Sequence, residues 1–75
     1  MISKRLRLWR EKRALSQGEL AAKMQVQGIN LDQQAVSRIE RGERIVTDYE
    51  LVCFCKVLEV PERELLEDGF NMLEK

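Results

Sequence analysis

A polar segment near the middle of the chain carries side chains suited to recognising another molecule through hydrogen bonds. Its outward-facing candidates are Gln33, Gln34, Ser37 and Arg38. A Gln amide can form two hydrogen bonds to the N6 and N7 atoms of adenine, and an Arg guanidinium can bind guanine or a phosphate in the same two-point manner. These residue types therefore suit contact with the bases and backbone of DNA.

A short helix must position those side chains. Asp32 is a predicted N-cap, because its carboxylate can accept a hydrogen bond from a backbone N–H two or three residues further on and favours the positive end of the helix dipole. We expect the helix to span residues 33–40 and to end before Gly42, which can adopt the left-handed conformation. Its narrow apolar face would consist of Ala35, Val36 and Ile39.

A second short helix precedes the first. Ser16 and Glu19 have the spacing of a capping box, so this helix should begin at Gln17. Its buried stripe would consist of Leu20, Ala21 and Met24. Helices this short are unstable in isolation and must pack together. Two short helices joined by a turn are typical of the helix-turn-helix motif, in which the first residues of the second helix reach deepest into the major groove.

The flanking segments predict three more helices, and hence an all-α, compact five-helix bundle. Helix 1 would run from an N-cap at Ser3 to about Arg13, and helix 4 would begin after a capping box that starts at Thr47. Helix 5 would begin with Pro61 in its first turn and stop before Gly69. The inward-facing residues of these helices would be Ile2, Leu6, Trp9, Leu51, Phe54, Cys55, Leu58, Leu65 and Leu66. We expect residues 1–69 to form one domain and residues 70–75 a C-terminal tail.

The order of these elements resembles the Cro and phage-repressor (Cro/C1) type of helix-turn-helix protein, the xenobiotic response element family. The matching segments are Leu6 to Arg10, Leu15-Ser16-Gln17, Leu20-Ala21, Val36 to Gly42, Leu51 to Leu58, and Val60-Pro61. The resemblance implies the fold of phage-repressor DNA-binding domains, with the helix-turn-helix formed by helices 2 and 3. It also implies a sequence-specific DNA-binding transcriptional regulator, which we expect to be a repressor that inserts helix 3 into the major groove.

Site roles follow from the resemblance at matching positions. Gln17 would bind a DNA phosphate and brace Gln33, the first glutamine of the recognition helix. Arg10 and Glu40 would form a structural ion pair between helices 1 and 3. Loss of either partner should impair folding first, because an unpaired and partly buried charge costs several kcal/mol.

One segment departs from the usual family spacing. The chain between Ala21 and Glu40 is longer than in the family, and the additional length falls at Gln25 to Asn30. Gly28 and Asn30 are typical turn residues. We therefore expect this segment to be a surface loop between helices 2 and 3, either solvated or in contact with DNA.

Charge is unevenly distributed along a chain whose formal net charge is zero. Residues 1–44 contain ten Lys and Arg against five Asp and Glu, a net charge of +5, whereas residues 45–75 contain three against eight, a net charge of −5. DNA favours clustered basic residues, so the predicted recognition elements lie on the appropriate half. Arg41 and Arg44 flank the glycine after helix 3, where phosphate contacts are expected. An ordinary solvated surface is the alternative interpretation of this asymmetry.

The acidic half supports a second hypothesis, a protein-interaction module such as an antitoxin or an adaptor that binds a protein partner through residues 45–75. A homodimer is also expected, since the family commonly binds pseudo-palindromic DNA sites. The apolar residues available for a subunit contact are Leu8, Val57, Phe70, Met72 and Leu73. The last three could equally cover an edge of the core.

Other function classes are disfavoured. The chain has no His, so the usual base for a Ser or Cys nucleophile is absent, and we expect neither an enzyme nor a bound cofactor. Two Cys without His do not make an ordinary zinc site; we expect Cys55 in the core and Cys53 at the surface. Without an apolar run of about 20 residues or a signal peptide, we expect a cytoplasmic, nucleoid-associated protein with no membrane contact. The family occurs mostly in bacteria and their phages.

Overall fold

Five helices build the part of the chain that the computed structural model describes, residues 2–66. They are α1 (Ser3–Lys12), α2 (Gln17–Val26), α3 (Gln33–Glu40), α4 (Asp48–Leu58) and α5 (Glu62–Leu65), and no strand occurs between residues 2 and 66. The predicted all-α, five-helix architecture is confirmed. The predicted tail, residues 70–75, lies outside the described residues.

Local capping fixes where three of the helices begin. The Ser16 hydroxyl accepts a hydrogen bond from the Glu19 N–H at 3.0 Å, and the Glu19 carboxylate accepts one from the Ser16 N–H at 2.8 Å. Thr47 and Glu50 form the same kind of capping box at the start of α4. The Asp32 carboxylate accepts a bond from the Ala35 N–H at 2.8 Å. These caps confirm the predicted first residues of α2 and α3. The starts could be predicted because capping depends only on residues three positions apart.

Two predicted helix starts are wrong, and α5 is shorter than expected. Ile2, not Ser3, occupies the N-cap position of α1, since the Ile2 carbonyl already accepts the first helical hydrogen bond and Ser3 is helical. Pro61 is the N-cap of α5 instead of its first helical residue. This helix ends at Leu65, because Leu66 adopts an extended conformation with φ of −82° and ψ of 135°.

All five helices contribute to one core, whose largest fully buried side chain is Phe54. Each helix contributes at least one side chain that is almost completely buried: Leu6, Leu20, Met24, Val36, Ile39, Phe54, Leu58 and Leu65. Burial of each such side chain contributes about 1.5–3 kcal/mol, which offsets the weak intrinsic stability of short helices. Cys53 was expected at the surface, but it is only 4% exposed, because α4 packs against both α2 and α5 and is buried on a wide arc. Burial also raises the pKa of the Cys55 thiol.

Arg13 joins the end of α1 to the end of α4. Its Nε donates to the Leu58 carbonyl at 2.7 Å and its Nη2 to the Glu59 carbonyl at 3.3 Å. The last carbonyls of a helix lack intrahelical partners, so a guanidinium there satisfies them. The Cζ atom of the Arg13 guanidinium lies 5.2 Å from the Trp9 ring centroid, within the range of a cation–π contact.

The segment between α2 and α3 is anchored in the core. Gln25 and Val26 are helical, and α2 ends in a Schellman motif in which Gly28 has a φ of 86° and the Ile29 N–H donates to the Met24 carbonyl at 3.0 Å. Ile29 is 6% exposed and Leu31 only 2%. The predicted surface loop over Gln25 to Asn30 is therefore only partly right. Gln27, Gly28 and Asn30 are exposed, but Gln25 and Val26 belong to α2, and Ile29 and the next residue but one, Leu31, point inward and contribute to the core.

Candidate nucleic-acid interface

The outward side of α3 forms an open groove. It is lined by Gln34, Ser37, Arg38 and Arg41. Val36 and Ile39, on the opposite side of the same helix, are buried in the core, so the groove residues have a fixed backbone beneath them. Gln33 and Gln34 are exposed in the first turn, Arg38 is exposed one turn further along, and Ser37 is half-buried. All four residues predicted to read bases therefore lie on the accessible part of α3.

Gln33 lies against the first turn of α2. A Cβ atom placed on Gly18 would be 3.4 Å from the Gln33 Oε1, so the Gln33 amide passes directly over the Gly18 backbone. The family resemblance implies that Gln17 braces Gln33. The hydrogen bonds of residues 2–66 do not include one between these two side chains, and Gln17 donates instead to Glu40 at 3.0 Å.

A hydrogen-bonded ion pair ties α1, α2 and α3 together behind the groove. Arg10 donates to both carboxylate oxygens of Glu40, from Nε at 2.6 Å and from Nη2 at 3.1 Å. Its Nη1 also donates to the Leu15 carbonyl at 2.8 Å. The two side chains are only 11% and 4% exposed. The hydrogen bond to Glu40 raises the pKa of the Arg10 guanidinium despite its burial.

Arg41 is exposed and paired with Glu43, an acidic residue that was not predicted to belong to the site. Its Nε donates to Oε2 of Glu43 and its Nη2 donates to Oε1, both at 3.2 Å. Its Nη1 donates to the Ser37 hydroxyl. The Arg41 and Glu43 side chains are 55% and 57% exposed. The hydrogen bond from Arg41 lowers the pKa of the Glu43 carboxyl. The two-residue spacing in the sequence was the available signal for this pair.

Arg44 is held by α4. Its Nη1 and Nη2 donate to the two Glu50 oxygens, both at 3.0 Å, and Nη1 also donates to the Ile45 carbonyl at 3.1 Å. Glu50 is the second member of the capping box at the start of α4, and its side chain is only 12% exposed. The pairing lowers the pKa of Glu50 and raises that of Arg44. Arg44 thus links the segment after α3 to α4, whatever its role with phosphate.

Exposed apolar side chains lie mainly elsewhere. Ile45 precedes α4 and is 87% exposed, and Tyr49 and Val52, on the first two turns of α4, are 64% and 38% exposed. Leu8, expected at a subunit contact, is 41% exposed, whereas Val57 packs partly against the core. Phe70, Met72 and Leu73, the other residues expected there, lie outside the described part of the chain. None of the helices described between residues 2 and 66 has the length and apolar character needed to cross a membrane.

Comparison with known proteins places this fold in a family. The family model for the helix-turn-helix domain matches residues 2–67. A crystal structure of the restriction-modification controller protein C.AhdI from Aeromonas hydrophila is similar, with 32% sequence identity, 87% of each chain covered and a TM-score of 0.75. A search of curated proteins gives no match. The chain belongs to the Cro/C1-type helix-turn-helix family of DNA-binding transcriptional regulators.

Proposed function

We propose that the protein recognises a specific DNA sequence by inserting α3 into the major groove and that it represses transcription by occupying its operator. The observation that supports this proposal is the groove on α3, which is lined by polar side chains. The opposite side of the helix is buried in the core and holds the backbone of α3 in place. Gln34 and Arg38 offer the side chains for two-point hydrogen bonds to adenine and guanine. Repression needs no surface beyond this one, because a bound protein excludes other proteins from the same DNA.

Gln17 is proposed to bind a phosphate while it holds Glu40. A Gln amide carries two N–H groups, so donation of one to Glu40 leaves the other for a phosphate oxygen. The positive end of the α2 dipole adds to the attraction, since Gln17 is the first residue of that helix.

Arg44 can act in the same way. A guanidinium has five N–H groups, of which three are used by Glu50 and Ile45. Its side chain is 34% exposed. We assign Arg44 to a phosphate that approaches the unused N–H groups while the pair with Glu50 stays intact.

A second copy of the chain is the proposed partner on DNA. Helix-turn-helix proteins read pseudo-palindromic operators as dimers whose recognition helices lie about 34 Å apart. The exposed Ile45, Tyr49 and Val52 supply apolar surface that a subunit contact could cover. Sedimentation at increasing protein concentration should give a dimer; a monomer at every concentration, both free and on DNA, would contradict this assignment.

The similarity to C.AhdI supports a narrower proposal, regulation of the genes of a restriction-modification system. Selection of bound duplexes from a random pool at moderate salt would define the operator, because non-specific electrostatic binding is suppressed there. Occurrence of the selected sequence beside restriction and modification genes would support the narrower proposal. No enrichment by folded protein would favour the alternative, a protein-interaction module that uses the acidic half.

Single substitutions then test the residues assigned to base reading. Gln34→Ala and Arg38→Ala should each weaken operator binding by about 1–3 kcal/mol and relax base preference at one position. Arg63→Ala is the control, because Arg63 is exposed on α5, a helix to which no DNA contact is assigned. Equal losses on operator and unrelated DNA for Gln34 and Arg38 would contradict their assigned role.

A further inference from the structure

We propose that Glu43 competes with DNA phosphates for Arg41 and thereby lowers the affinity of the protein for DNA of any sequence. This inference rests on the proposed function, and it adds a residue that weakens DNA binding. Arg41 lines the α3 groove beside Gln34 and Arg38, so the pair stands at the edge of the proposed DNA-binding face.

The geometry of the pair is that of a guanidinium bound to an oxyanion. Arg41 presents Nε and Nη2 to two different oxygens of one carboxylate, both at 3.2 Å. Phosphate binds arginine through the same two-point arrangement. A phosphate that approaches these nitrogens must therefore displace the Glu43 carboxylate.

The end of α3 holds Glu43 in this position. Gly42 adopts a φ of 76°, and the Glu43 N–H donates to the Arg38 carbonyl at 2.8 Å, which forms a Schellman motif. The backbone of Glu43 is thus fixed next to the last turn of the recognition helix. The positive charge of Arg38 contributes, after the Arg41 hydrogen bond, to the lowered pKa of Glu43. The positive charges of Arg38 and Arg41 therefore both stabilise the Glu43 carboxylate.

Exposure distinguishes this pair from the other two Arg–Glu pairs beside α3. Glu40 and Glu50 are 4% and 12% exposed and accept further hydrogen bonds from Gln17 and Thr47. Glu43 is 57% exposed, and its described side-chain bonds are those to Arg41. Exposed ion pairs contribute little to stability, so DNA can open this pair without unfolding the domain.

The competition costs affinity in two ways. Breaking the pair removes its own small stabilisation, and the released carboxylate stays close to the phosphate that replaced it. Neither effect depends on the bases, so the cost applies equally to operator and unrelated DNA. Glu43 would therefore shorten the residence of the protein on unrelated sequences while leaving the ratio of specific to non-specific affinity unchanged.

Glu43→Gln tests this proposal, with Glu11→Gln as the matched control. Glu11 forms an exposed pair with Arg7 at 3.2 Å on α1, so both substitutions remove one negative charge from a comparable pair. Binding to the selected operator and to a scrambled duplex of equal length is measured by fluorescence anisotropy over a series of salt concentrations. Glu43→Gln should tighten binding to both duplexes about two- to five-fold more than Glu11→Gln does. It should also steepen the dependence of log K on log salt by up to about 0.9.

The Arg41→Ala background separates competition from simple repulsion. Once Arg41 is absent, Glu43→Gln should gain less affinity than it does in the wild-type background, because only the repulsion between the carboxylate and DNA remains to be relieved. A gain of the same size in both backgrounds, a gain confined to the operator, or weaker binding by Glu43→Gln would each overturn the proposal. Failure of the wild-type protein to bind either duplex would overturn the proposed function itself and the inference with it.

Discussion

Removal of Arg10 should destabilise the domain more than any surface substitution. In Arg10→Met, the Glu40 carboxylate keeps only the Gln17 amide as a hydrogen-bond donor and loses the 2.6 Å and 3.1 Å bonds from the guanidinium. Glu40 is only 4% exposed, so water cannot replace those bonds without structural rearrangement. An uncompensated buried charge of this kind costs about 3–5 kcal/mol.

The size of that loss can be compared with the total stability. At about 0.05–0.15 kcal/mol per residue, a 75-residue domain has a free energy of unfolding of about 4–11 kcal/mol. Arg10→Met should therefore lose about a quarter or more of it, and the variant should be partly unfolded in water if the total stability is near the lower limit. Loss of the bond to Leu15 adds to the effect, because that bond links α1 to the segment before α2.

Urea denaturation followed by far-ultraviolet circular dichroism measures this loss. Arg7→Met is the control, since Arg7 is 65% exposed on the same helix and its replacement should change the free energy of unfolding by about 0.5 kcal/mol at most. In the double variant Arg10→Met/Glu40→Leu no charge remains unpaired, and stability should return close to that of the wild type. A loss below about 1 kcal/mol for Arg10→Met, or a double variant no better than the single one, would refute this reasoning.

Local features of the fold give three further expectations. Ala14→Gly should raise the free energy of unfolding by about 0.5–1 kcal/mol, because Ala14 has a φ of 59° that costs glycine nothing; an unchanged urea midpoint would contradict this. Leu31→Ala should lower thermal stability by about 2–5 kcal/mol, whereas Asn30→Ala should have little effect; similar melting temperatures for both variants would mean that the connection is not anchored. Arg44 lowers the pKa of Glu50, so the resulting stabilisation is complete above the unfolded-state pKa and is lost as pH falls through the folded-state value. Glu50→Gln should therefore show a shallower loss of stability below about pH 5, and parallel pH profiles would refute the assignment.

The starts of α2, α3 and α4 were predictable from the sequence because their causes are local. The Ser16 hydroxyl, the Asp32 carboxylate and the Thr47 hydroxyl each bond to a backbone N–H three residues away, so sequence spacing contains the whole interaction. The accessible side of α3 was predictable for a similar reason. Once Val36 and Ile39 face the core, helical periodicity directs the polar residues outward.

The connection between α2 and α3 was misjudged because its turn residues were given more weight than its apolar ones. Gly28 does form a turn, but Met24 and Ile29 flank it at the positions where a Schellman motif places a hydrophobic contact. Those residues could have indicated a buried helix end. Burial of Cys53 could not be inferred in this way, because it depends on which helices pack on both sides of α4.

Ion-pair partners were the least predictable part of the site, and they determine how much of the basic charge can reach DNA. Arg38, Arg41 and Arg44 contribute equally to the +5 charge of residues 1–44, yet Arg44 is fixed by Glu50 from the acidic half. Arg41 is engaged by an exposed carboxylate that phosphate can replace. Since counterion release depends on the number of phosphates actually neutralised, the salt dependence of binding should follow the arginines that can exchange or share their partners. Charge counts along the sequence should therefore overestimate the number of phosphates that the proposed interface neutralises, and the Arg–Glu pairs around α3 give a smaller expected number.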